Sequence, residues 1–405
     1  MEFFKFFEKE RIILNTPHSK EKLSKIKTII FDMDGVITSE KNYWISAGLT
    51  ALEIFYSKSY SAFNDNSSLS DQSLDKTIEQ SKKFVTYNFI SALKGRSINT
   101  NWDLAYFSTA LFLIEAIKQV KDSNIIKEIQ ENGLTTRVLQ LIGREVRLKV
   151  FFEYRIDDLA EKFFNKYPDI NGFEYIDCLN RELHEKSEIK TSLFSRNNSF
   201  WILCFELFQE WFLGTELFKN HYNKTLSHLK KQGMVNLESP IIPLSQIDDM
   251  LSKLHESDYV LGIATGRPYD EIIRPLENWN LLKYFRKNMI ATHNDVEKGE
   301  HYLSTHNTHL SLAKPHPFLF LKSLYPDENT ISLMKKNYPI NNKDEILVVT
   351  DSVSDIMIAK KLGCLCAVVL TGVVSEKLKK SLFNSKPEFI INDVSLLSEL
   401  VFQFI

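Results

Sequence analysis

The chain has 405 residues, which at roughly 100–200 residues per domain predicts two or three domains. Apolar residues at 43% and charged residues at 25% exclude a mostly disordered chain. Lys and Arg (50) nearly balance Asp and Glu (52), a formal charge of -2 that gives no general attraction to nucleic-acid phosphates or anionic lipid.

In chain order, Met1–Leu14 reads as a short amphipathic helix, because Glu2, Lys5, Glu8, Lys9, Glu10 and Arg11 interrupt what a secretory signal keeps apolar. Thr28–Phe31 is a wholly apolar run that ends at Asp32, Asp34 and Gly35, the pattern of a parallel strand buried on both faces. Residues 41–238 have another texture, rich in Phe, Tyr, Trp, Lys and Glu. Leu104, Phe107, Leu111 and Ile114, and Leu159 with Phe163 and Phe164, recur at helical spacing. Within this helical insert, Asn64–Asp75 reads as a loop or a helix junction. Phe200–Gly214 carries Glu206, Gln209 and Glu210 and falls short of the about 20 apolar positions a bilayer span needs, so it is a buried helix. Tyr43 and Trp44 read as core aromatics with a pocket lining as the rival.

The strand pattern then resumes. Ile247, Met250, Leu251 and Leu254 mark a helix that feeds a strand over Tyr259–Ala264, ending at Thr265-Gly266-Arg267-Pro268. Asn288–Thr292, Glu345–Val349, Cys366–Leu370 and Glu388–Ile391 are further strands. Strand and helix alternating without hairpin signals predict a parallel sheet: an α/β, Rossmann-like three-layer core over residues 1–40 and 239–405, interrupted by the all-helical insert. Five of the ten histidines, His293, His301, His306, His309 and His316, lie in what reads as a polar surface loop without the acid or cysteine that would complete a zinc set. The four cysteines, Cys178, Cys204, Cys364 and Cys366, fit no disulfide framework and imply a reducing, cytoplasmic setting; Cys364 and Cys366 are expected in the core, one on each face of their strand.

Ligands of open α/β sheets gather beyond the carboxyl ends of the strands, where Asp32, Asp34, Thr265 and Asp351 all fall. Taken with Lys314-Pro315-His316-Pro317 and the acid pair Asp351 and Asp355, the motifs Asp32-Met33-Asp34-Gly35-Val36 and Thr265-Gly266-Arg267-Pro268 occur in the order known from the haloacid dehalogenase-like (HAD) superfamily of phosphohydrolases, which this chain resembles. The resemblance covers the α/β core. It implies that the helical insert is a cap domain following the first strand, and that the first strand lies between those carrying Thr265 and Asp351.

A phosphate monoester is very stable in water, and a covalent carboxyl phosphate splits its hydrolysis into two easier displacements. Asp32 is the candidate nucleophile and Asp34 the general acid and base. Thr265, the Gly266 amide and Lys314 hold the phosphoryl group, and Arg267 either clamps a second anionic group or pairs with Asp270 or Glu271. Asp32, Asp34, Asp351 and Asp355 carry four negative charges against one from Lys314. This imbalance points to Mg²⁺, held by the Asp32 carboxylate, the Asp34 carbonyl and Asp351, with Asp355 further out. Thr350 stands where the family usually has Gly.

The implied activity is a Mg²⁺-dependent phosphatase of a small soluble phosphate ester, with no nucleic-acid or membrane partner. A phosphotransferase or mutase would use the same residues, and a phospho-ligand-sensing module is the non-enzymatic rival. The insert exceeds what shielding a site requires, which implies a second copy or a protein partner bound through it.

Overall fold

The computed structural model describes residues 12–14, 22–62, 69–96, 98, 100–146, 154–170, 172–226, 229–372 and 376–402. The chain separates into two compact units, one of residues 1–40 with 238–405 and one of residues 41–237.

The first unit is built on a seven-stranded sheet. Its strands are β1 (Ile12–Leu14), β2 (Thr28–Phe31), β3 (Val260–Ala264), β4 (Ile290–Ala291), β5 (Ile346–Thr350), β6 (Leu365–Val369) and β7 (Phe389–Ile391), in the spatial order β1-β7-β6-β5-β2-β3-β4. All pair in parallel except β1, which runs antiparallel along β7. Ile12–Leu14 is therefore an edge strand and not the end of an amphipathic helix; the rest of that N-terminal stretch lies outside the described residues. The two-residue period of a strand sorts its side chains between two apolar layers. Ile29, Phe31, Leu347, Val349, Ala367 and Val369 face one layer with the Leu244–Glu256, Tyr269–Asn278 and Leu396–Phe402 helices. Ile30, Ile346, Val348, Cys366 and Val368 face the other, with the Phe318–Leu324 and Val353–Leu362 helices. Both faces are covered, so the strands read as unbroken apolar runs.

Cys364 and Cys366 enter the same layer, contrary to the expectation of one per face, because residues two apart along an extended chain share a side. The histidine-rich stretch is also more regular than a loop: His293–Thr305 is a helix, opened by a capping box in which the Asp295 carboxylate accepts the Thr292 N–H at 2.9 Å.

Among its described residues the second unit has helices as its only regular elements. The helix Lys41–Tyr56 packs against Asn101–Ile117 and Ser199–Leu213. Phe55, Phe84 and Phe112 meet there with ring centroids 5.3–6.0 Å apart, in stacked and edge geometries that add to burial. Tyr43 is core as well, stacked 4.1 Å from Phe212. Ser199–Leu213 is mostly apolar but carries Glu206, Gln209 and Glu210, and among the described residues no helix is long and apolar enough to cross a membrane.

At the centre of this unit Lys231 joins two carboxylates, Glu53 at 2.8 Å and Glu210, with all three side chains fully buried and the ammonium 5.0 Å from the Trp211 ring. Burial pushes Glu210 upward from its ordinary range, with Lys231 opposing. Removing one member of such a cluster strands the others without water. Lys231→Met is expected to cost about 3–5 kcal/mol in urea unfolding, and combining it with Glu53→Gln and Glu210→Gln to recover most of that loss.

Candidate active site

Phe31 pairs with Ile263 on one side and Val349 on the other, so β2, β3 and β5 end within one residue of a common level. The residues that follow these three ends are Asp32, Thr265 and Asp351. Asp32 continues the ladder by donating its N–H to the Val349 carbonyl at 2.9 Å. The chain then turns through Gly35, whose φ of +71° suits glycine, and closes with the Gly35 N–H on the Thr38 carbonyl at 2.9 Å.

The Lys314 ammonium lies between two carboxylates, 3.1 Å from Asp32 Oδ1 and 2.8 Å from Asp355 Oδ2, with its face toward the Phe320 ring at 5.2 Å. Asp32 Oδ1 also accepts the Met33 N–H at 2.8 Å. Burial pushes Asp32 up to about 7; the Lys314 ammonium pulls it back, and Asp355 and Asp34 add to the rise. For Lys314, burial favours the neutral amine, but Asp32 and Asp355 outweigh it and hold the ammonium form above the ordinary lysine range. The lysine is thus a fixed positive charge.

Asp355, in the first turn of the Val353–Leu362 helix, is fully buried. Its Oδ2 also accepts the Thr350 hydroxyl at 3.1 Å, and that hydroxyl accepts the Ser352 N–H at 3.0 Å. Thr350 thereby ties the end of β5 to the carboxylate that grips Lys314, a role its place in the sequence did not announce. Thr265 is buried, and its hydroxyl accepts the Arg267 N–H at 3.2 Å, leaving its own hydrogen to donate. A Cβ on Gly266 would meet nothing within 4 Å, so this backbone faces open space.

Asp351 is wedged between two glycines. A Cβ at Gly35 would lie 2.0 Å from Asp351 Oδ2, and one at Gly372 would lie 1.7 Å from it. The Thr371 hydroxyl donates to the Gly35 carbonyl at 2.5 Å, which joins the same two loops. Gly372 was not singled out from sequence, although a Thr-Gly pair following a buried strand is the available signal.

Arg267 does not stand open as an anion clamp. Its side chain is 2% exposed, its Nε donates to Asp34 Oδ1 at 2.9 Å, and its Nη2 donates to the same oxygen and to Glu238 Oε1 at 3.0 Å. Glu238 is pushed upward by burial, with Arg267 opposing. Nothing near Glu238 in sequence marks it; only the fold brings it to Arg267. Among the described residues no three His, Cys, Asp or Glu side chains converge on one point, and this holds for the histidine-rich stretch too.

A family model for haloacid dehalogenase-like hydrolases matches residues 148–369. A target of the Northeast Structural Genomics Consortium, solved by X-ray, is similar over 94% of this chain and 100% of its own, at 26% identity and a TM-score of 0.80. A structure described as a predicted phosphoglycolate phosphatase from Haemophilus somnus matches over 93% and 98%, at 14% identity and a TM-score of 0.36. An L-2-haloacid dehalogenase from Xanthobacter autotrophicus matches over 93% and 98%, at 13% and 0.32. No curated protein matches the chain.

Thr350→Val keeps the shape of the side chain but removes its hydroxyl from Asp355 and from the Ser352 N–H. It is expected to lower stability by about 1–3 kcal/mol in urea unfolding, with Thr350→Ser costing clearly less.

Proposed function

Given that the chain belongs to the haloacid dehalogenase-like hydrolases, we propose that it is a phosphatase of a small phosphorylated metabolite and works through an aspartyl phosphate on Asp32. The observation that carries this reading is the Lys314 ammonium set between Asp32 and Asp355, with Asp32 and Thr265 following the ends of two neighbouring parallel strands.

In the first transfer, Asp32 Oδ2 attacks phosphorus, Oδ1 being held by Lys314 and the Met33 N–H. The P–O bond to the ester oxygen breaks, and the departing alcohol takes a proton from Asp34. Thr265, the Gly266 N–H and Lys314 face the charge on the transferring oxygens. In the second, water attacks the phosphorus of the aspartyl phosphate and gives a proton to Asp34. Inorganic phosphate leaves and Asp32 is restored.

The donor set fits Mg²⁺. Burial and two neighbouring acids hold Asp32 at an unfavourable ionisation that a cation would relieve, and the donors on offer are hard oxygens. Three converging side chains are not required, because Mg²⁺ commonly takes one or two carboxylates and completes its shell with water and substrate phosphate. Asp32, the Asp34 carbonyl and Asp351 would hold it, while Asp355 acts by holding Lys314. When bound, the ion neutralises phosphoryl charge as a Lewis acid. The four cysteines are free and buried, in keeping with a reducing, cytoplasmic compartment.

With Mg²⁺ present, the protein is expected to release inorganic phosphate from at least one member of a panel of phosphate esters, and Asp32→Asn to lower that rate by at least about a thousandfold. Equal inertness of both proteins across a broad panel would overturn the assignment. Beryllium fluoride with Mg²⁺ is expected to raise the melting temperature, a ligand at a hundred times its Kd adding about 2.7 kcal/mol, and Asp351→Asn to shrink the shift.

A further inference from the structure

Among the described residues Asp34, the proposed proton carrier, is gripped at one oxygen only. Its Oδ1 accepts from Arg267 Nε at 2.9 Å, from Arg267 Nη2 and from the Thr38 hydroxyl at 3.3 Å. An oxygen crowded by donors, two of them cationic, has no room for a proton of its own. Proton exchange is left to Oδ2.

Arg267 is in turn set by Glu238, whose Oε1 accepts from Nη2 at 3.0 Å. Glu238 stands where the chain re-enters the sheet unit, and its backbone neighbourhood is laced to the segment that follows Asp34. The Ser39 N–H donates to the Ser239 carbonyl at 3.1 Å, the Ile241 N–H donates to the Ile37 carbonyl at 2.9 Å, and Thr38 bridges Pro240. The placement of Glu238 relative to Asp34 is therefore fixed by main chain, with Arg267 spanning the gap.

Such a pair is a poor investment in stability alone. Both side chains are 2% exposed, and Glu238 Oε2 is buried with no hydrogen-bond partner among the described residues. Buried ion pairs of this kind often match or lose to apolar replacements.

We propose that Glu238, acting through Arg267, is a positioning residue that holds the Asp34 carboxylate so that Oδ2 delivers the proton to the leaving group. The assignment rests on the phosphatase reading above. It makes a claim that a merely structural pair does not: the need for Glu238 depends on how badly the leaving alcohol needs a proton.

The test compares kcat/KM, which reports the first transfer, for an alkyl phosphate and for 2,4-dinitrophenyl phosphate, in wild type, Glu238→Ala and the nearly isosteric Glu238→Gln. Glu238→Ala is expected to lose about 10–100-fold on the alkyl ester and under about threefold on the dinitrophenyl ester, whose phenolate departs unprotonated. Glu238→Gln, which keeps an acceptor oxygen, should recover part of the alkyl-ester rate, and it carries the comparison if the alanine variant does not fold. Equal losses on both esters, or none on either, would overturn the positioning role while leaving the phosphatase assignment intact. Wild type inert across the whole ester panel would instead remove the phosphatase reading, and this assignment with it.

Discussion

Asp32 sits at the tip of a strand flanked on both sides and covered on both faces, a place with almost no water to stabilise its charge. What makes an ionised carboxylate tenable there is the ammonium of Lys314, itself anchored from behind by Asp355. Neither partner is comfortable alone: the acid is pushed toward its neutral form by burial, and burial favours the neutral amine of the lysine, which the two carboxylates facing it outweigh. The arrangement of β2, β3 and β5 can be read as the frame for this ion pair. Parallel strands of matched register bring the chain out at one level, and the residues placed just beyond that level carry the chemistry.

The strands were legible because a strand covered on both faces shows as an unbroken apolar, β-branched run, and Thr28–Phe31 and Glu388–Ile391 have no competing reading of comparable length. Their spatial order was not contained in any local pattern; the resemblance carried by four short motifs placed only the first strand, between those carrying Thr265 and Asp351. The gathering of Asp32, Lys314 and Asp355 was foreseeable from their strand-end and motif positions. The partners of Arg267 were not, since its neighbours Asp270 and Glu271 are near in sequence, whereas Asp34 and Glu238 reach it only through the fold. Errors fell where local signals are weakest: three residues of edge strand at Ile12–Leu14 mimic a helix end, and an abundance of His, Ser and Asn concealed the helix His293–Thr305.

The helical unit illustrates a different economy. With no strand among its described residues, it relies on large rings, and the contacts of Phe55, Phe84 and Phe112 tie together segments distant in sequence. Amid this apolar packing the fully buried Lys231, on a non-helical segment, links Glu53 of the Lys41–Tyr56 helix to Glu210 of the Ser199–Leu213 helix, and parting these charges would leave them with no water to turn to.

The thiols have a consequence beyond their redox state. Cys178 and Cys204 belong to the helical unit and Cys364 and Cys366 to the sheet unit; all four are free, buried and held protonated by that burial. The native molecule therefore hides its thiols from alkylating reagents, and each half carries its own pair of latent reporters. Pulse labelling followed by peptide mass analysis would register, without any engineered probe, which half of the polypeptide opens first under heat or denaturant.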